Sequence, residues 1–118
     1  RAIKMNQIRT GDIFLVDFKA DTSSNIIRGF RPAIVVKTSN NSPLIHLVPL
    51  STSVRKKLNC FHIKITGYGL DKPSIALIEQ ICPMDKSKLG KKIGSISKKS
   101  ELQHILNSVK HFFELDAA

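Results

Sequence analysis

Apolar residues in this chain come in short runs, separated by clusters of Gly, Pro, Asn, Asp and Ser. That pattern predicts strands joined by turns over most of the length. Gly11-Asp12 precedes Ile13-Phe14-Leu15-Val16-Asp17-Phe18, which reads as a first strand. Residues 19–27 form a polar connection, with Asp21-Thr22-Ser23-Ser24-Asn25 as turn formers. A second strand is expected at 32–37: Ala33-Ile34-Val35-Val36 suits a pleated, buried surface, and Pro32, having no N–H, suits a strand start. Pro32 also drives Arg31 into an extended conformation, at a rim where loops gather. Residues 38–43 read as a turn and 44–50 as a third strand, in which Pro49 argues for an edge or a bulge near the end.

Residues 51–59 are a polar, basic loop holding Arg55-Lys56-Lys57. In 60–65, Phe61, Ile63 and Ile65 alternate with His62 and Lys64, so a half-exposed strand is expected with His62 facing outward. A turn at 67–73 leads to a largely buried strand at 74–81. Pro83-Met84-Asp85-Lys86 is expected to open a short helical turn ending near Leu89-Gly90, before a last strand at 91–96. The tail changes period. Leu102, Ile105, Leu106, Val109, Phe112 and Phe113 fall on one helical stripe, and Ser97 or Ser100 is placed to cap its start. Phe112 and Phe113 are expected to pack in the core, with part of that end available to a dimer. The prediction is mainly β with α: one domain over residues 1–118, a small β-barrel closed by a C-terminal amphipathic helix.

Charge adds what the pattern cannot. The chain has 118 residues, with 19 Lys+Arg against 9 Asp+Glu, a net charge of +10 and a pI of about 10.0. Such a balance favours nucleic acid or another polyanion. No apolar stretch approaches the roughly 20 residues that span a membrane, and the first residues do not read as a secretory leader. A cytoplasmic protein is expected. Cys60 and Cys82 lack metal-ligand spacing and read as reduced, packed thiols, so no metal or cofactor is expected.

The polar groups then sort themselves along the chain. Arg28 and Arg31 precede strand two, Ser51 and Thr52 follow strand three, and Arg55, Lys56 and Lys57 lie just beyond. In a small barrel those strand ends share one rim. A guanidinium offers two parallel donors to two phosphate oxygens, and a hydroxyl adds a third. RNA carries its own nucleophile, the 2′-OH, so its cleavage needs a proton acceptor, stabilisation of charge on phosphorus and a proton for the leaving 5′ oxygen. Arg31 with Ser51 or Thr52 supplies the second requirement, and composition alone names no base. His104 and His111 lie off the helical stripe and read as solvated; His46 reads as structural; His62 is a candidate RNA contact.

Five segments in order resemble the MazF/PemK-type toxins: Gly11-Asp12-Ile13, Arg28-Gly29-Phe30-Arg31-Pro32-Ala33-Ile34-Val35-Val36, Val48-Pro49-Leu50-Ser51-Thr52, Ser74 through Ile81, and Met84-Asp85-Lys86 through Gly94. The resemblance spans nearly the whole chain. It implies an SH3-like barrel and the toxin of a type II toxin–antitoxin pair. It implies a homodimeric, metal-independent endoribonuclease that cuts single-stranded RNA at short motifs and is blocked by an acidic cognate antitoxin. It carries the catalytic role to Arg31, directly before the proline, and the partner hydroxyl to the Val-Pro-apolar step. Ser51 holds that place with Thr52 next to it, where relatives are typically written with Thr first. Glu79 and Gln80 match the MazF branch and are assigned structural support, with Glu79 anchoring Arg31 or a loop. Leu77 and Glu79 stand where the PemK branch has Arg and Asp, and Ile26-Ile27 stands where many members carry Glu-Gln. Two rival functions share this kind of barrel: a protein poison of DNA gyrase, like the CcdB relatives, and a non-catalytic RNA-binding module.

Overall fold

The computed structural model describes residues 7–18, 29–52 and 59–114. Its strands are β1 (Asp12–Phe18), β2 (Gly29–Lys37), β3 (Leu44–Ser51), β4 (His62–Ile65), β5 (Ser74–Leu77), β6 (Cys82–Asp85) and β7 (Leu89–Ser95), followed by helix α1 (Lys99–Phe112). Short 3-10 turns occupy Ile78–Gln80 and Lys86–Lys88. The strands make one antiparallel sheet in the order β4-β5-β3-β2-β1-β7, with β6 beside β3.

The strands read as continuous apolar runs because both of their faces are covered. Ile13, Ile34, Val36, Val48, Leu50 and Ile65 turn to one core, and Phe14, Val16, Ala33, Val35, Ile45 and Leu47 turn to the other. Helix α1 closes the first core. Ile105 is its one fully buried residue among those described, and Leu102, Leu106, Val109 and Phe112 pack around it half-buried. Truncating Ile105 to Ala would cost about 2–5 kcal/mol, because little else on the helix is dry. Phe112 meets Phe61 edge-on at 5.3 Å, whereas Phe113 is 58% exposed, so the expected core packing holds for the first phenylalanine only.

Mainly β with one C-terminal helix is thus the architecture, and the recorded ladders form an open path. Among the described residues no ladder joins β4 to β7. The gap between those ends is spanned by backbone contact instead. A Cβ on Gly94 of β7 would lie 1.9 Å from the Tyr68 carbonyl oxygen, and one on Gly69 would lie 2.3 Å from that of Ile93. Only glycine lets the β4–β5 turn rest this closely on β7, and Gly69 also has φ +90.

Several boundaries differ from those expected. β2 begins at Gly29, so Arg31 sits inside a ladder opposite Val16 of β1 rather than in a loop. Pro32 comes one residue beyond the last β2–β3 pair, Ala33–Pro49, where the missing N–H is tolerated. Pro49 marks a change of partner: β3 pairs with β6 up to Leu47 and with β5 from Leu50. The expected strand at 74–81 breaks after Leu77 into a 3-10 turn, and the chain re-enters the sheet as β6 where a helical turn was expected. That helical turn lies later, at Lys86–Lys88, capped by Asp85 accepting from the Ser87 N–H at 2.8 Å. β4 starts at His62 rather than at Cys60, and β7 covers Leu89–Ser95. Neither Ser97 nor Ser100 caps α1; its N-cap is Lys98, with no side-chain hydrogen bond. Cys60 is exposed rather than packed, while burial pushes the half-buried Cys82 thiol up from its ordinary range.

Candidate functional site

A groove of about 520 Å³ opens where β2, β3, β7 and the β4–β5 turn meet. Its lining divides by chemistry. Leu15, Pro32, Leu50, Leu70 and Ile93 give an apolar floor; Arg31, Lys72, Lys91 and Lys92 give the cations; Thr52 and Ser74 bring hydroxyls, and Asp71 is the one carboxylate among the described lining residues. Phe30 completes it, 71% exposed to solvent. Lys92 is partly neutralised by Asp12, 3.4 Å away, whose other oxygen accepts from the Arg9 N–H.

Of the two candidate hydroxyls, Thr52 lines the groove with Arg31, whereas extending the strand register brings Ser51 towards Arg31. Val16, its partner in β1, and Ala33 and Val35, further along β2, belong to the second core. Continuing the β2–β3 register from Ala33–Pro49 by two residues sets Arg31 opposite Ser51. Alternation puts Ser51 on the same face, with Leu47 and Ile45. Directly opposed residues on one face stand about 5 Å apart at Cβ. Phe30 and Pro32 fall on the other face with Ile34, as Leu50 does with Val48; Thr52 lies just past the end of β3 and lines the groove. Arg31 therefore stands at a rim: it borders the groove and shares a sheet face with Ser51. Ser51 itself is only 5% exposed.

The remaining candidates divide. Arg28, Arg55, Lys56 and Lys57 lie outside the described residues. His62 does not face outward; its side chain is 14% exposed, and its Nε2 lies 2.9 Å from Glu79 Oε2. Glu79 is thus anchored to β4 through His62, and Gln80 sits half-buried on the same 3-10 turn. His62 borders a separate pocket of about 430 Å³ with Cys60, Lys64, Glu101 and His104. His62 Nδ1 and Glu79 Oε1 are buried without a hydrogen-bond partner. Near this pocket Tyr68 donates to Glu101, and that bond raises the Tyr68 phenol above its ordinary value. His111 is exposed beside Glu114, and His46 is half-buried in β3. Among the described residues no group of three or more His, Cys, Asp or Glu is placed to hold a metal ion.

The sequence named Arg31, Ser51 and Thr52 but passed over Phe30, Lys72, Lys91 and Lys92 as site residues. The lysines come from a turn and a strand distant in sequence, so only the fold collects them. Phe30 did carry a signal: it is an aromatic between Gly29 and Arg31, outside the apolar run that begins at Ala33.

This helix-backed antiparallel sheet has the fold of solved MazF toxins. The toxin MazF-mt6 of Mycobacterium tuberculosis superposes with a TM-score of 0.68 at 17% identity, over 90% of this chain and 99% of its own. The MazE–MazF complex from Deinococcus radiodurans gives 0.66 at 14% identity, over 91% and 95%. At such identities the likeness is one of fold. In sequence, the Endoribonuclease MazF of Staphylococcus saprophyticus is 30% identical over 107 residues, 86% of this chain and 88% of its own length. That of Staphylococcus epidermidis is 31% identical over 101 residues, 81% and 83%. The profile of the PemK-like, MazF-like toxin of type II toxin–antitoxin systems matches residues 9–113. The chain belongs to that family.

Proposed function

We propose that this toxin is an endoribonuclease that cuts single-stranded RNA with Arg31 and Ser51 at the rim of the lysine-flanked groove. The observation that carries the reading is a groove in which Arg31 stands among Lys72, Lys91 and Lys92; the β2–β3 register, extended two residues past Ala33–Pro49, supports Ser51 as its hydroxyl. The relatives named Endoribonuclease MazF support the same reaction.

The substrate's 2′-oxygen attacks the adjacent phosphorus as it gives up its proton. The P–O5′ bond breaks, and the 5′ oxygen takes a proton as it leaves. The products are a 2′,3′-cyclic phosphate and a 5′-hydroxyl. Arg31 donates to the non-bridging oxygens as their charge grows, and the Ser51 hydroxyl adds a neutral donor. Lys72, Lys91 and Lys92 hold the flanking phosphates, which makes binding steeply salt-dependent. No step calls on a metal. The working unit is an SH3-like barrel in which the β4–β5 turn rests on β7, a cytoplasmic homodimer held in check by an acidic antitoxin. A complex of a related mycobacterial endoribonuclease with its cognate antitoxin supports that last assignment.

The test is a long unstructured RNA incubated in EDTA with the protein and with Arg31→Ala, followed by sequencing of the 5′ ends. Cuts at a short motif with 5′-hydroxyl ends, lost in Arg31→Ala, are expected. Intact RNA beside a folded protein would sink the nuclease. RNA bound but uncut would leave a non-catalytic binding module, and trapped DNA cleavage complexes would point to a gyrase poison.

A further inference from the structure

The cations of the groove account for phosphate, but not for its apolar floor or for Phe30. Phosphodiester tracking needs lysines and arginines on a surface; it gains nothing from Leu15, Pro32, Leu50, Leu70 and Ile93 in one concavity. A concave site with an apolar floor and a few convergent polar groups is built for a flat, partly apolar ligand. Phe30 lies on the groove's side of β2 by alternation with Pro32 and Ile34, and it is the one strongly exposed large hydrophobic among the described lining residues. Gly29, with φ +82 and open space around its Cβ position, leads the chain into this point.

We infer that the groove is a nucleobase subsite, in which Phe30 stacks on one unpaired base of the RNA next to the phosphate held at Arg31. The inference rests on the RNA reading above and names the group that the groove takes. An unpaired base presents a π face that an exposed ring covers whatever its identity. Stacking of this kind is worth enough for its loss to weaken binding roughly ten-fold or more. The volume of about 520 Å³ suits one nucleotide, not a duplex. Charge complementarity sets the occupant: Lys72, Lys91 and Lys92 line the same groove as the ring and would meet the phosphates next to the stacked base. Thr52, which lines the same groove, is placed to bond the edge of that base, a specificity role in place of the catalytic one.

The experiment uses the full chain and 2′-O-methyl RNA 12-mers of each base, which lack the nucleophile and stay intact. Binding is read by anisotropy across a salt series, for the wild type, Phe30→Ala, Phe30→Tyr and Lys72→Gln, with an abasic 12-mer as control. Phe30→Ala should bind the base-bearing oligomers about ten-fold more weakly, and Phe30→Tyr should restore them. Phe30→Ala should keep the wild-type salt slope, which Lys72→Gln lowers by about one. The abasic oligomer should not distinguish Phe30→Ala from the wild type. Equal binding of base-bearing RNA by Phe30→Ala overturns the inference, as does an equal loss on the abasic oligomer. Binding of an acidic peptide that depends on Phe30, with RNA binding indifferent to it, overturns it in favour of a protein ligand. Wild-type protein that binds the 12-mers in this way yet leaves a long RNA intact sinks the nuclease and not the subsite.

Discussion

The Arg31 groove and the His62–Glu79 pocket are both polar concavities of similar size, yet their charges are handled in opposite ways. In the first, three lysines and an arginine face one carboxylate across an apolar floor, and an aromatic ring stands in solvent. In the second, the imidazole and carboxylate meet at 2.9 Å, and the phenol of Tyr68 donates to Glu101 nearby. One site lines a groove with cations in excess of carboxylates. The other pairs one atom of His62 with one of Glu79 and Tyr68 with Glu101, tying β4 to the Ile78–Gln80 turn and the β4–β5 turn to α1, while His62 Nδ1 and Glu79 Oε1 stay buried without a partner. A histidine is thus poor evidence of a site when its partner comes from its own fold, and a surplus of one charge around an apolar floor is good evidence.

Mutation should separate the two regions most sharply at Arg31. Arg31→Ala is expected to lower the cleavage rate about 10²–10³-fold, the usual loss when one donor to a developing anion is removed, with the unfolding midpoint little changed. Single-turnover cleavage and urea denaturation measure the two sides. The next largest effect divides the hydroxyls. Ser51→Ala should slow cleavage about ten-fold or more, while Thr52→Ala stays within about three-fold in rate and shifts base preference. The reverse order would show that the register does not continue to Ser51, and it would return the chemistry to the groove face.

The same contrast explains what the sequence made legible. Apolar runs bounded by Gly, Pro and Asn revealed β1, β2 and β3, because those strands are buried on both faces and contain little else. The stripe from Leu102 to Phe112 revealed α1 because its apolar positions recur on the one face that meets the core. Residues 74–81 were harder. Ile75, Ala76, Leu77 and Ile78 form one apolar run, but Ile78 turns into the α1 core from a 3-10 turn, and a run has no mark for that change of backbone. In the site, Arg31 and Ser51 were visible through local motifs. Lys72, Lys91 and Lys92 were not, since their convergence depends on Gly69 and Gly94 letting two distant backbones touch. His62 misled for a related reason: alternation says which residues share a face, but not that α1 and the 3-10 turn cover that face.

A smaller effect, in stability alone, is expected on the other side of the comparison. His62→Ala leaves Glu79 without its partner in a half-buried place and should cost about 1–2 kcal/mol of stability, discounted for the exposure of Glu79. Cleavage by the folded fraction should be unaffected. A loss of RNA affinity at unchanged stability would restore His62 to the binding surface and blur the distinction between the two regions.

The smallest effect lies at the contact that ties the β4–β5 turn to α1. Tyr68 donates to Glu101, and the ordinary phenol value of 10.0 is raised, first by that hydrogen bond and then by desolvation and the carboxylate's charge. A phenol whose value is higher folded than unfolded contributes stability that is complete below the unfolded value. That contribution is lost as pH rises through the folded one, because the unfolded chain gives up the proton more readily. The wild type should therefore exceed Tyr68→Phe in stability by a constant margin up to about pH 10, and the margin should shrink above it. Denaturation midpoints for both proteins across that range measure it. Cleavage should follow the same difference only weakly, since Asp71 and Lys72 sit on this turn but the turn is also held by Gly69 and Gly94 against β7. A margin that stays flat through the alkaline range would mean that the hydrogen bond to Glu101 is absent in solution. The turn would then be positioned by backbone contact alone.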